Sequence, residues 1–257
     1  MSEVIRLSRR SALIGAAGAG GLMLTGCDKL SQSPSFARVL QTAERLNLHA
    51  QRLLLPQDRL APEFTKADIS PVFKPNGSFT GTTDDYKRML DDGFASFKLQ
   101  VGGLVRHPLS LSLAELRALP SRSQITRHDC VEGWSAIGGW KGVPLSLLLK
   151  SAQLLPQARY IVFHCADNLG GDANGMYYET IDLVDAAHPQ TILAYDMNGQ
   201  PLPVAHGAPL RLRLERQLGY KMAKYVMRVE AVDNFAHIGS GRGGFWEDRG
   251  YQWYAGI

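Results

Sequence analysis

The residues able to do chemistry gather around one cysteine and one basic run. Cys130 lies in Arg127-His128-Asp129-Cys130-Val131-Glu132-Gly133-Trp134-Ser135, between a strand-like run and the glycine-rich Gly138-Gly139-Trp140-Lys141-Gly142-Val143-Pro144. Irregular backbone there can aim a thiolate at a partner, and Arg127 with a protonated His128 would favour the thiolate, the form that attacks and that binds metals. A small buried hydrophobe is the plain alternative. The basic run comprises Arg211, Arg213, Arg216, Lys221, Lys224 and Arg228, and on an alternating strand it would read as a solvated face.

Three chemistries compete at Cys130. A cysteine hydrolase needs a histidine in reach of the thiol, and His128, two positions away on extended chain, points to the same side. A closed zinc site would enlist Cys130, His128, Cys165 and His164, yet consecutive residues of a strand project to opposite faces, which separates His164 from Cys165. The third is a single thiolate on a metal otherwise held by an organic cofactor, for which one cysteine is enough.

These residues need a scaffold, and the apolar pattern supplies its outline. Ser35 to Leu55 has helical periodicity closed by Pro56, and Gln57 to Asp92 reads as a long loop punctuated by prolines and glycines. Phe97 to Val105 alternates as a strand, and Ser112-Leu113-Ala114-Glu115 is a capping box. Pro144 opens a helix through Leu149, Arg159 to Cys165 is a buried strand, and Asn198-Gly199 is a turn. Leu210 to Leu214 and Lys224 to Val232 are further strands. The aromatic tail from Gly243 to Tyr254 is either a strap packed on the domain, or a wall of the substrate funnel or the docking face for a redox partner.

The first residues read as an address. Arg9 and Arg10 precede an uncharged Ala/Gly/Leu-rich stretch from Ser11 to Gly26, a basic region followed by an apolar one that is short for a bilayer span. The paired arginines resemble a twin-arginine export signal, which carries folded cargo. Leu24-Thr25-Gly26-Cys27 resembles a lipobox, so Cys27 is the expected lipidation site, and Asp28 resembles a signal for retention on the outer face of the inner membrane. Lysine plus arginine number 28 against 24 acids, a net charge of +4, with no dense basic block. Nucleic acid is therefore set aside as a partner. Three cysteines are too few for a disulfide framework.

Arg127 to Trp134, together with Asn198-Gly199-Gln200-Pro201-Leu202-Pro203, His206-Gly207-Ala208-Pro209-Leu210-Arg211 and Gly219-Tyr220-Lys221-Met222-Ala223-Lys224, resembles the molybdopterin-binding domain of the sulfite oxidase family. More narrowly it is similar to the bacterial exported branch, which includes periplasmic methionine sulfoxide reductases. The resemblance implies an α+β fold of mixed sheets and short helices over residues 73–257, after a signal peptide at 1–26 and a tether with a helix at 27–72. It implies Cys130 as catalytic residue and sole protein ligand to molybdenum. Binding of the molybdenum–molybdopterin cofactor falls to His206, Arg211, Met222, Ala223 and Lys224 around its phosphate. Asn76 in Phe73-Lys74-Pro75-Asn76, and Cys165 at a strand end, complete the set.

The implied reaction is a two-electron oxygen-atom transfer on a small oxo compound such as sulfite or a sulfoxide. With no Cys-x-x-Cys-His for covalent haem, electrons are expected to pass to a separate cytochrome or a membrane haem or quinone-linked protein. The expected location is periplasmic and lipid-anchored to the outer face of the inner membrane. A noncatalytic, membrane-tethered binding or electron-transfer accessory protein of the same fold is the alternative.

Overall fold

A computed structural model describes residues 33–54, 56–171 and 175–257. The expected export signal and the expected lipidation site Cys27 lie outside the described residues. Two compact units divide the chain, Met1–Leu54 and Leu55–Ile257. The described part of the first is one helix, α1 (Pro34–Leu54). No described helix is long and apolar enough to cross a membrane.

The second unit is α+β, with two five-stranded sheets. One sheet has the order β2 (Leu109–Ser112), β1 (Lys98–Gly103), β10 (Val226–Val232), β5 (Tyr160–Asn168) and β6 (Met176–Asp182). β1 and β10 run parallel, with Gln100 facing Arg228, while the other pairings in this sheet are antiparallel. The other sheet has β3 (Arg122–Asp129), β4 (Ser135–Pro144), β7 (Ile192–Met197) and β8 (Gln200–Pro201) in order, with β9 (Arg211–Arg213) also paired to β7. Among the described residues α2 (Asp84–Asp91) precedes the first strand, and the short helices α3 (Leu113–Ala118), α4 (Leu145–Ala152) and α5 (Leu183–Ala187) connect later ones.

One apolar core joins both sheets, drawing Leu99, Ile161, Phe163 and Val229 from the first, Leu193 and Leu212 from the second, and Leu145 and Leu148 from α4. β5 alternates only partly because it is buried on both faces, as its unbroken Tyr160 to Phe163 run requires. The capping box forms as expected, with Ser112 receiving the Glu115 amide at 3.2 Å and Glu115 returning to the Ser112 amide at 2.8 Å.

The stretch from Gln57 to Asp92 is less of a loop than its composition implies. Thr83 caps α2 by accepting from the Tyr86 amide, and Asp84 and Asp85 occupy the first turn, where carboxylates suit the helix dipole. Tyr86 is fully buried and donates to the Ala208 carbonyl at 2.8 Å, and with Met89 and Leu90 it packs against Ala166 and Tyr225, so a short apolar stripe seats this otherwise charged helix. Upstream, Phe64 and Ser70 donate backbone hydrogen bonds to Ile125 and Ile137, which lays this segment along β3 and β4.

Candidate active site

β3 delivers Cys130. Its alternation buries Gln124, Thr126 and His128 while Arg127 stays outside, and Cys130 begins the turn to β4 on the His128 side. Gly133, at φ +84°, lets the turn close: its amide meets the Cys130 carbonyl at 3.1 Å, and the Cys130 amide meets the Trp134 carbonyl at 2.9 Å. Asp129 fastens the base of the turn by accepting from Ser135 Oγ at 2.5 Å and Arg127 Nε at 2.9 Å.

The thiol's side-chain contact is Asn76, whose Nδ2 lies 3.4 Å from Sγ. Asn76 arrives on the long loop because Phe73 wedges among His128, Trp134, Trp140 and His206, at ring separations of 5.4, 6.1, 5.5 and 5.6 Å. Lys224 clasps the same loop, donating to the carbonyls of Asn76 at 2.8 Å, Ala205 at 3.1 Å and Ser78.

His128 is not placed as a base for the thiol. Its Nδ1 faces Arg213 Nη1 at 3.2 Å and the Met222 thioether Sδ at 3.3 Å. Burial, then Arg213, Arg211 and His206, hold its pKa well below the usual histidine value. A closed zinc site fails as well. His164 turns away to Glu230 at 2.8 Å, Cys165 points into the core, and among the described residues no group of three or more His, Cys, Asp or Glu could hold a metal ion.

Cys130 opens on a cavity of about 410 Å³ shared with Asn76, Ser78, Asp167, Tyr177, Arg211, Met222 and Lys224. Its far wall is the tail, through Phe245, Trp246, Arg249 and Tyr251. The tail is thus packed on the domain, as the strap reading expects, and also lines this cavity. Cys165 and Ala223 are buried in the core cluster instead, and burial raises the Cys165 thiol pKa well above its ordinary value. His206 stands beside this basic corner, its carbonyl accepting from Arg211 Nη1 at 3.1 Å.

Except for the exposed Arg228, the basic run is no solvated face. Arg211, Arg213 and Lys221 are each 2% exposed or less. Arg213 is neutralised by Glu215 at 2.6 Å and Arg216 by Asp185 at 2.7 Å. Among the described residues Arg211 and Lys224 form no ion pair, and Arg211 Nε is buried without a partner. The crowding is visible in their acidities. Burial and Arg213 bring Arg211 down to about 9, burial and Arg211 bring Lys224 down to about 7, and burial with both cations brings His206 down to about 4. Such a corner fits a buried phosphate, which would supply the missing negative charge. The donor set also fits a molybdopterin cofactor at the other end, since one soft thiolate suits a metal already held by sulfur.

Asp167 escaped sequence reasoning because only the pairing of β5 with β10 and β6 brings it here. It is 2% exposed, accepts from Ser78 Oγ at 2.5 Å and leaves Oδ1 without a partner. Burial raises its pKa to about 6 against the opposing pull of Ser78 and Lys224. An acid whose folded pKa is raised contributes stability that is present below its unfolded value and lost as pH rises through the folded one. Asp167→Asn is therefore expected to stabilise the cofactor-free chain by about 1–3 kcal/mol at pH 7 and by about nothing at pH 4. Urea unfolding at the two pH values measures this, and equal effects at both would refute the assignment.

The family of oxidoreductase molybdopterin-binding domains matches residues 87–237. A putative protein-methionine-sulfoxide reductase subunit YedZ1 from Azospira oryzae is 39% identical over 97% of this chain and 88% of its own length. The protein-methionine-sulfoxide reductase catalytic subunit MsrP of Xanthomonas axonopodis pv. citri is 35% identical over 68% of this chain, which spans 57% of that relative's length. The sulfane dehydrogenase SoxCD of Paracoccus pantotrophus aligns at a TM-score of 0.48 with 23% identity, covering 55% of this chain and 39% of that one. With the cavity, the Cys130 thiol and the unpaired basic corner already in place, the family match and the Azospira relative settle the lineage: the chain belongs to the oxidoreductase molybdopterin-binding domain family and is a molybdopterin-dependent oxidoreductase.

Proposed function

We propose that this chain reduces sulfoxides, with the methionine sulfoxide side chain as substrate, taking its electrons from a separate redox protein. The observation that carries the reading is the placement of the Cys130 thiol at a cavity whose opposite wall is apolar and aromatic. That wall suits a thioether and its sulfoxide. The relatives, a putative methionine-sulfoxide reductase subunit and a methionine-sulfoxide reductase catalytic subunit, point the same way. The overall change is sulfoxide plus two electrons and two protons to thioether plus water.

On this reading Cys130 is the metal ligand, Arg211 and the segment Met222 to Lys224 hold the cofactor's phosphate, and Asn76 donates to the Cys130 sulfur. When bound, the cofactor supplies the two-electron oxygen-atom transfer. The protein's own work is positional. Phe73 and Lys224 keep the Asn76 loop over the thiolate, and Phe245, Trp246 and Tyr251 exclude water from one side of the cavity. We further propose that the Arg9-Arg10 signal exports the folded, loaded protein, and that lipidation at Cys27 tethers it to the outer face of the inner membrane, near a haem or quinone-linked electron donor.

Metal and pterin analysis of protein from a host that makes molybdopterin tests the assignment, followed by turnover of methionine sulfoxide with a reduced viologen. Molybdenum near one per chain with sulfoxide turnover is the expected result. A loaded chain that oxidises sulfite and ignores sulfoxides would replace the substrate. For Arg211→Ala, loss of a buried charge-assisted contact of about 1.5–3 kcal/mol predicts cofactor binding roughly ten- to a hundredfold weaker, seen as low pterin content after dialysis. Unchanged retention would remove Arg211 from the phosphate site.

A further inference from the structure

Behind the cavity lies a buried charge cluster that the reaction does not use. Lys221 Nζ donates to Glu179 Oε1 at 2.5 Å, Glu247 Oε1 at 2.6 Å and the Thr180 carbonyl at 3.1 Å. All three charged residues are at most 1% exposed. The second oxygen of each carboxyl is buried without a hydrogen-bond partner. Two carboxyls share one ammonium. Burial and the facing Glu247 push the Glu179 pKa well above its ordinary value, against the opposing pull of Lys221.

Its three members come from three segments that line the cavity, each within two residues of a lining residue. Glu179 follows Tyr177 by two on β6, Lys221 lies between Tyr220 and Met222, and Glu247 follows Trp246 in the tail. The tail lies beyond residue 237, where the family match ends. It is fastened nearby by the Phe245 amide to the Tyr178 carbonyl at 3.0 Å and by Thr180 Oγ1 to the Gly243 carbonyl at 2.5 Å. Gly244 lets the strap pass, since a Cβ there would run into both carboxyls.

We propose that Glu179, Lys221 and Glu247 are positioning residues: a buried clamp that holds the strap 239–251 as the substrate-facing wall, so that Trp246, Arg249 and Tyr251 select the sulfoxide by fit. The inference rests on the sulfoxide-reductase reading for its substrate and on the geometry alone for the clamp. A small sulfoxide needs little of this wall. A methionine sulfoxide within a peptide lies against it.

The test compares Glu247→Ala with Glu247→Gln in the full, cofactor-loaded chain, using a reduced viologen with dimethyl sulfoxide and with a peptide containing methionine sulfoxide. Glutamine keeps the acceptor for Lys221 and alanine removes it. The expected result for alanine is a peptide KM raised about tenfold, with kcat and the dimethyl sulfoxide reaction within about twofold and molybdenum content unchanged. Glutamine should restore the peptide KM. Hydrogen–deuterium exchange on the cofactor-free chain should quicken in 239–251 for alanine only. An unchanged peptide KM overturns the substrate role. Faster exchange spread equally over β6 and β10 overturns the clamp in favour of a general packing role. A wild-type chain that reduces neither sulfoxide overturns the functional reading and the substrate role with it, and exchange confined to the strap then supports the clamp by itself.

Discussion

Cys130→Ser is expected to lower sulfoxide turnover by at least ~10³-fold, equivalent to about 4 kcal/mol of transition-state stabilisation, while the fold survives. A serine hydroxyl is a hard oxygen donor that stays protonated at neutral pH, so it replaces a soft anionic ligand with a poor one. The change should leave the protein intact because the thiol makes a single side-chain contact, with Asn76 at 3.4 Å, and the turn is held by backbone bonds and by Asp129. A change in unfolding free energy of about 1 kcal/mol is expected from so small a substitution. Turnover with the variant, molybdenum and pterin content, and a urea transition check this together. Wild-type activity in a loaded variant would show that the metal is held some other way.

Lys221→Met has the largest expected effect on stability. Removing the ammonium leaves Glu179 and Glu247 facing each other in a dry interior, with no other cation within hydrogen-bond reach in the cluster. Breaking a buried ion pair by deleting one partner costs about 3–5 kcal/mol, because the surviving charge is uncompensated. For a domain of this size that corresponds to a drop in Tm of roughly 10 °C. Adding Glu247→Gln to Lys221→Met should recover part of the loss, since it removes one of the stranded acids. A double variant as unstable as the sum of the single ones would mean that the three residues do not act as a unit.

The sequence revealed what local chemistry determines. The capping box at Ser112, the buried strand from Tyr160 and the turn at Asn198-Gly199 depend on neighbours within a few residues, and all three appear in the structure. Helix α2 was missed because it is two turns long, and its few apolar residues, Tyr86, Met89 and Leu90, gain their meaning only from distant partners such as Ala166, Ala208 and Tyr225. The same holds at the site. Cys130, Asn76, Arg211, Met222 and Lys224 carry recognisable local patterns and line one cavity. Asp167, Tyr177 and the clamp of Glu179, Lys221 and Glu247 carry none, because strand pairing and the path of the tail place them. His128 shows the limit in the other direction: spacing puts it on the side of the thiol, and its ring then turns to Arg213 and Met222.

The parallel pairing of β1 with β10 also sets an order of events. Gln100 finds its partner Arg228 only after the intervening chain has been made, and the sheet order places β10 between β1 and β5. Until β10 exists, β2–β1 and β5–β6 are two separate hairpins with bare edges. Such a distant pairing folds slowly and leaves those edges open to mispairing in the interval. β10 also follows Lys224 directly in the chain. The strand that unites the sheet is thus the one that seats the end of the basic corner, so a ribosome-bound chain can build a receptive pocket only late in its synthesis.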